Sequence, residues 1–111
     1  MTALAIAVDR RDAATLVVLR GDLDLATAPE LRECLVGVIE EGARIVIDLE
    51  SVTFLDSAGL GILVGGLKRA RTAGGELELV CSSRDVLKPL EITGLDRVFT
   101  IHSGRDVALS G

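Results

Sequence analysis

The chain of 111 residues contains no tryptophan, no tyrosine and only two phenylalanines. It is therefore poor in the ring faces on which unpaired bases stack. Positive charge is also short: 12 Lys+Arg against 17 Asp+Glu give a net charge of -5. Nucleic-acid backbones and anionic lipid surfaces are bound by clustered cations, so neither direct nucleic-acid nor membrane binding is expected. No apolar run reaches the ~20 residues that cross a bilayer. The longest uncharged stretch, Ala58 to Leu67, is broken by glycines. The start of the chain lacks the basic segment of a secretory signal. Two cysteines, Cys34 and Cys81, and a single histidine, His102, fall short of the roughly four ligands of a structural zinc site, and no metal is expected. The thiols read as reduced and partly buried, as in a cytoplasmic protein. Catalytic groupings are missing as well. His102 reads as a surface or capping residue, no Ser-His-Asp arrangement can be built, and no pair of acids stands out by spacing. Gly59 and Gly61 begin a dinucleotide-type GxG, but Val64 occupies the third glycine position, and no GxxxxGK[ST] loop is present. An enzyme is not expected, and no cofactor is implied.

What remains is a small, acidic, aliphatic chain, hydrophobic at 49% and charged at 26%, of the size of one domain spanning residues 1–111. Leu4, Ile6 and Val8 alternate with alanines as in an edge strand, and Thr15 to Arg20 forms the second arm of an expected antiparallel hairpin. Strand and helix then alternate. Thr27 reads as an N-cap with Pro29 and Glu30 in the first helical turn. Leu31, Leu35, Val38 and Ile39 share a helical face, with Gly42 as the stop. Arg44 to Leu49 is a β-branched run suited to a central parallel strand covered on both faces. A second helix is predicted from Ser57 to Ala73, with Leu60, Leu63, Val64 and Leu67 on one face and Gly74-Gly75 at its end. Glu76 to Cys81 reads as a strand, Arg84 to Ile92 as a helix ending near Gly94, and Arg97 to Ile101 as the last strand. The tail from Ser103 has room for one or two helical turns. The order ββαβαβαβ predicts an α/β domain with a mixed five-stranded sheet, its last four strands largely parallel and its helices packed on the sheet.

Binding sites in such sheets lie beyond the C-terminal ends of parallel strands. Three segments assemble there: Gly21-Asp22-Leu23-Asp24, Val52-Thr53-Phe54-Leu55-Asp56-Ser57 and Cys81-Ser82-Ser83. The second puts two large apolar residues, Phe54 and Leu55, before an acid, a hydroxyl and a glycine-rich helix start. Asp56 and Ser57 both suit a helix cap, and Ser57 in addition suits a hydroxyl presented for modification or contact. Asp22 and Asp24 read either as solvated turn acids or as partner contacts. Gly59, Gly61, Gly65 and Gly66 each cost about 1 kcal/mol relative to alanine inside a helix. Either close packing or a smooth, approachable surface accounts for them.

The run from Gly21 to Asp24, the following Ala/Thr/Pro/Leu helix start, the IVIDL strand, Thr53-Phe54-Leu55-Asp56-Ser57-Ala58-Gly59-Leu60, and Leu90-Glu91-Ile92-Thr93-Gly94-Leu95 together resemble the STAS domain of anti-sigma factor antagonists. The similarity spans nearly the whole chain. It implies a bacterial partner-switching protein whose serine, here Ser57, is phosphorylated by an anti-sigma factor that is also an ATP-dependent serine kinase. The unphosphorylated form binds that kinase and frees the sigma factor, and a PP2C-type phosphatase restores it. Asp22, Asp24, Thr53, Asp56 and Gly59 become expected contacts, with Phe54, Leu55, Ala58 and Leu60 completing the surface. Ala58 departs from the small, often hydroxylated residue usual in the family, and the tail is short for the final family helix. The resemblance also leaves room for a STAS scaffold without a switch, or for a nucleotide-binding module.

Overall fold

In the computed structural model, which describes residues 3–110, every crossover lands on the same side of one sheet. Strand β1 (Ala5–Arg10) pairs antiparallel with β2 (Thr15–Leu23), and β3 (Arg44–Leu55), β4 (Glu76–Val80) and β5 (Ile101–His102) follow parallel to β2, in the spatial order β1-β2-β3-β4-β5. The connections are α1 (Ala28–Val38), α2 (Ser57–Thr72) and α3 (Arg84–Ile92), and a short α4 (Arg105–Leu109) follows β5. Right-handed crossovers between strands laid down in chain order put their helices on one face. The expected mixed five-stranded α/β domain is what forms.

Side-chain parity divides the sheet. Val17 and Leu19 of β2, Ile45, Ile47 and Leu49 of β3, and Leu77 and Leu79 of β4 join Leu31, Leu35, Leu63, Leu67, Val86 and Leu90 of the three helices in the main core. The alternate residues Leu16, Val46 and Val80 meet Ala14 and Ala108 in a smaller cluster beneath α4. The β3 run from Ile45 to Leu49 is thus buried on both faces, as its lack of alternation predicts.

The elements differ from the sequence reading by more than one residue at four places. β2 does not end at Arg20. It continues through Gly21, whose φ of 103° accompanies a register shift against β3, so the glycine forms a bulge rather than a stop. β3 likewise runs on to Leu55. α1 ends at Val38, before Gly42, which sits in the next turn. Most of the predicted last strand at Arg97–Ile101 does not form: a 3-10 turn, Leu95–Arg97, entered through Gly94 at φ 75°, leads into irregular chain over residues 98–100, and only Ile101–His102 pairs with β4. Val98 is exposed and Phe99 buried, because Phe99 enters the main core from the turn instead of from a strand. At the end of α2, Gly75 is required by close approach: a Cβ there would lie 2.0 Å from the Ala43 carbonyl oxygen that accepts the Glu76 N–H.

Candidate functional site

The β2–α1 and β3–α2 junctions meet at the C-terminal edge of the sheet, and Asp56 joins them. One of its carboxylate oxygens accepts the Gly59 N–H at 3.0 Å and caps α2. The other accepts the Leu25 N–H at 3.1 Å, across 31 residues of chain. The Asp56 N–H in turn donates to the Leu23 carbonyl at 3.3 Å. Asp56 therefore takes the capping role, and both of its oxygens are engaged.

Ser57, the other possible cap, is the first helical residue and is exposed. Its hydroxyl has no hydrogen-bond partner among the described residues. Helix geometry leaves the first N–H groups of α2 directed outward at this end, where they favour negative charge. The exposed hydroxyl thus stands at a helix N-terminus, the kind of position where negative charge is favoured.

The other acids are also tied into the loops. Asp24 Oδ1 accepts the N–H groups of Ala26 and Thr27 at 3.0 and 3.1 Å. Thr27 sits at the N-cap position of α1 but does not cap it with its side chain. Instead its Oγ1 donates to the Asp22 carbonyl at 2.8 Å and accepts the Asp24 N–H at 3.0 Å. Thr53 donates its hydroxyl to Asp22 Oδ1 at 2.8 Å. Asp22, Asp24, Thr53 and Asp56 thus form a braced rim next to Ser57.

The expected apolar pair splits. Phe54 is 52% exposed, whereas Leu55 is 6% exposed and part of the core. Phe54's exposed companion is Leu25 at 77%, and the two border a shallow depression with Asp24, Ala26 and Asp56. Sequence reasoning missed Leu25, because a single leucine in a turn has no periodicity to mark it. Gly59 and Leu60 are buried and Ala58 half-buried. At Gly59 a Cβ would come within 2.6 Å of the Leu23 carbonyl oxygen, so this glycine holds the two junctions together. Cys81-Ser82-Ser83 takes no part in this rim: Ser82 donates to Glu50 at 2.8 Å, and among the described residues no hydrogen bond joins the segment to Ser57. His102 is half-buried, 2.6 Å from Glu78, which also takes a paired contact from Arg44; it is a member of this network rather than a surface or capping residue. Among the described residues no cluster of acids, cysteines and histidine has metal-binding geometry, and no helix is long and apolar enough to cross a membrane.

Comparison with known proteins bears on the family and the fold. The STAS domain profile matches residues 5–108. The anti-sigma-B factor antagonist of Bacillus subtilis (strain 168) is 40% identical over 85 residues, 77% of this chain and 78% of the relative. An anti-sigma factor antagonist from Mycobacterium paratuberculosis, known from its crystal structure, superposes with a TM-score of 0.88 at 30% identity, covering 97% of this chain and 92% of that one. The Bacillus cell fate determinant SpoIIAA in its phosphorylated form shares the fold, with a TM-score of 0.73 at 22% identity over 96% of this chain and 97% of that one. The chain belongs to the STAS-domain family that includes these anti-sigma factor antagonists.

Proposed function

We propose that residues 1–111 act in the cytoplasm as one anti-sigma factor antagonist unit, switched by phosphorylation of Ser57. The carrying observation is the division of labour between neighbours: Asp56 caps α2 and ties the junctions, while the Ser57 hydroxyl is exposed and structurally unused. In the unmodified state the protein binds its anti-sigma factor through the Phe54–Leu25 surface and the braced rim of Asp22, Thr53, Asp24 and Asp56, and the sigma factor is released. Leu55, Ala58, Gly59 and Leu60 shape this surface from beneath. The anti-sigma factor is also the kinase. Ser57 Oγ bonds to the γ-phosphorus of ATP as the bond to the β–γ bridging oxygen breaks, ADP leaves, and the hydroxyl proton passes to a base on the kinase. A PP2C-type phosphatase hydrolyses the ester and returns the hydroxyl. The relatives' descriptions as antagonists support binding rather than catalysis as this chain's own role.

Phosphorylation adds about -1.5 to -2 charge at the start of α2. The helix terminus accommodates it, but a partner covering Phe54 and Leu25 must then desolvate a dianion. The test is titration of the cognate anti-sigma factor with unmodified and phosphorylated protein at equal salt. One phosphate should enter with ATP, and Ser57→Ala should abolish its entry while keeping binding. The phosphorylated form should bind at least tenfold more weakly, roughly 1.4 kcal/mol. Equal affinities would remove the switch.

A further inference from the structure

We infer that the groove between α1 and α2 docks an acidic, amphipathic helical segment of the anti-sigma factor; this rests on the binding reading above and adds a second contact surface to it. The groove is a depression of about 190 Å³ between Arg32 and Leu35 of α1 and Gly61, Ile62, Gly65 and Arg69 of α2. Two shallower depressions of about 410 and 510 Å³, both bordered by Val36, lie beside it, and Arg69 lines all three. Val36 is 54% exposed, an apolar side chain with no internal reason to face solvent.

Its charge is opposite to that of the molecule. Arg32, Lys68 and Arg69 line these depressions, with Glu33 as the single acid among the lining residues. None of the three cations has an ion-pair partner among the described residues, although acids outnumber bases in the chain by 17 to 12. A basic, apolar trough on an acidic protein is complementary to a segment that carries carboxylates on its flanks and aliphatic side chains in its centre.

The floor points to a helix as the occupant. Gly66 is fixed by internal packing, since a Cβ there would lie 2.8 Å from Leu35. Gly61 and Gly65 are different: nothing lies within 4 Å of a Cβ at either position. Their helix-weakening lack of a side chain has no cause inside this protein, but it lets another backbone approach α2 closely. Gly61 follows Ser57 by one turn, about 6 Å along the axis. A phosphate on Ser57 would therefore stand at the mouth of the groove with the same sign of charge as the docked segment. The switch and the groove act against each other through that repulsion.

The experiment titrates the anti-sigma factor with four proteins: wild type, Arg32→Glu/Arg69→Glu, Gly61→Leu, and a charge-matched control, Lys88→Glu/Arg97→Glu, whose residues are exposed and outside the groove. Circular dichroism melting confirms that each is folded. The Arg32→Glu/Arg69→Glu and Gly61→Leu proteins should each bind at least tenfold more weakly, the control within threefold of wild type. Salt should weaken wild-type binding more steeply than that of Arg32→Glu/Arg69→Glu. Groove variants within twofold of wild type would overturn the inference and leave the Ser57 reading standing. An equal loss in the control would overturn it by assigning the effect to net charge. Wild-type self-association lost in the groove variants, with anti-sigma binding unchanged, would overturn it in favour of a second copy of this chain. No binding by wild type would take both readings down together.

Discussion

Glu78 and Cys81 lie three residues apart, and burial acts on their protons with different results. The Glu78 carboxylate is held below the ordinary carboxylate range by the hydrogen bonds from Arg44, with His102 helping, against the opposing effect of burial. A carboxyl group whose pKa is lower in the folded state stabilises the fold above its unfolded pKa of ~4.3 and loses that contribution as pH falls through the folded value. Glu78→Gln should therefore cost about 1–3 kcal/mol in urea melts at pH 7, and the gap should shrink as pH drops below ~4. A gap that grows toward acid would contradict the pairing. At Cys81, burial pushes the thiol up to about 11, and the nearby Glu50 and Asp48 charges act in the same direction. At pH 8 only about one part in a thousand is then thiolate, the form that reacts. Burial raises Cys34 too, against the Arg10 charge, yet its side chain is only half-buried. With N-ethylmaleimide at pH 8, mass analysis of the native protein should find Cys34 modified well before Cys81, and both modified in urea. Equal native rates would contradict the burial of Cys81.

At the level of elements, α2 carries four glycines under two different constraints. Gly59→Ala should destabilise or shift the β2–α1 junction, because its Cβ would meet the Leu23 carbonyl, a backbone atom that cannot swing away. Gly61→Ala and Gly65→Ala enter open space and should stabilise the isolated protein by up to about 1 kcal/mol each. Thermal melts of the three single variants decide this, and stabilisation by Gly59→Ala would refute the packing described. Sequence alone left packing and approach as alternatives for these glycines, since their difference lies in what faces each one from other elements. The helices themselves were legible: Leu63 and Leu67 are buried as their spacing predicts. So was the Asp56-Ser57 helix start, because capping is a local property. The sequence reading ends β2 at Arg20, three residues short of Leu23, because a glycine bulge inside a strand leaves no periodicity to carry the strand past it. Leu25, bonded to Asp56 from 31 residues away, and the pairing of Asp48 with Arg105, 57 residues apart, leave no local pattern at all.

On the scale of the molecule, the sheet is covered unequally. Three helices pack on one face, while among the described residues the other has only α4, whose Ala108 closes over Leu16, Val46 and Val80. So short a helix, five residues, is not stable by itself. It is held by charge: Arg105 donates from Nε and Nη2 to Asp48 at 2.9 and 2.6 Å, and Arg44 donates to the Ala108 carbonyl at 2.6 Å. Asp48 is 4% exposed at its side chain, and its other oxygen accepts only the Glu50 N–H. Removing Arg105 leaves a buried carboxylate short of its main partner, a situation that destabilises strongly when both groups are buried. Because the Arg105 side chain is 43% exposed, the expected loss for Arg105→Ala is smaller, about 2 kcal/mol. Arg11 also faces an acid, Asp9, but both side chains are about half exposed, and Arg11→Ala should change stability by less than ~0.5 kcal/mol. Released from Asp48, α4 should uncover the second apolar face, so Arg105→Ala should bind a hydrophobic dye more strongly before the unfolding transition. Urea melts with dye fluorescence test both effects. Equal losses for the two arginine variants would show that α4 is held by Ala108 and its apolar neighbours rather than by charge.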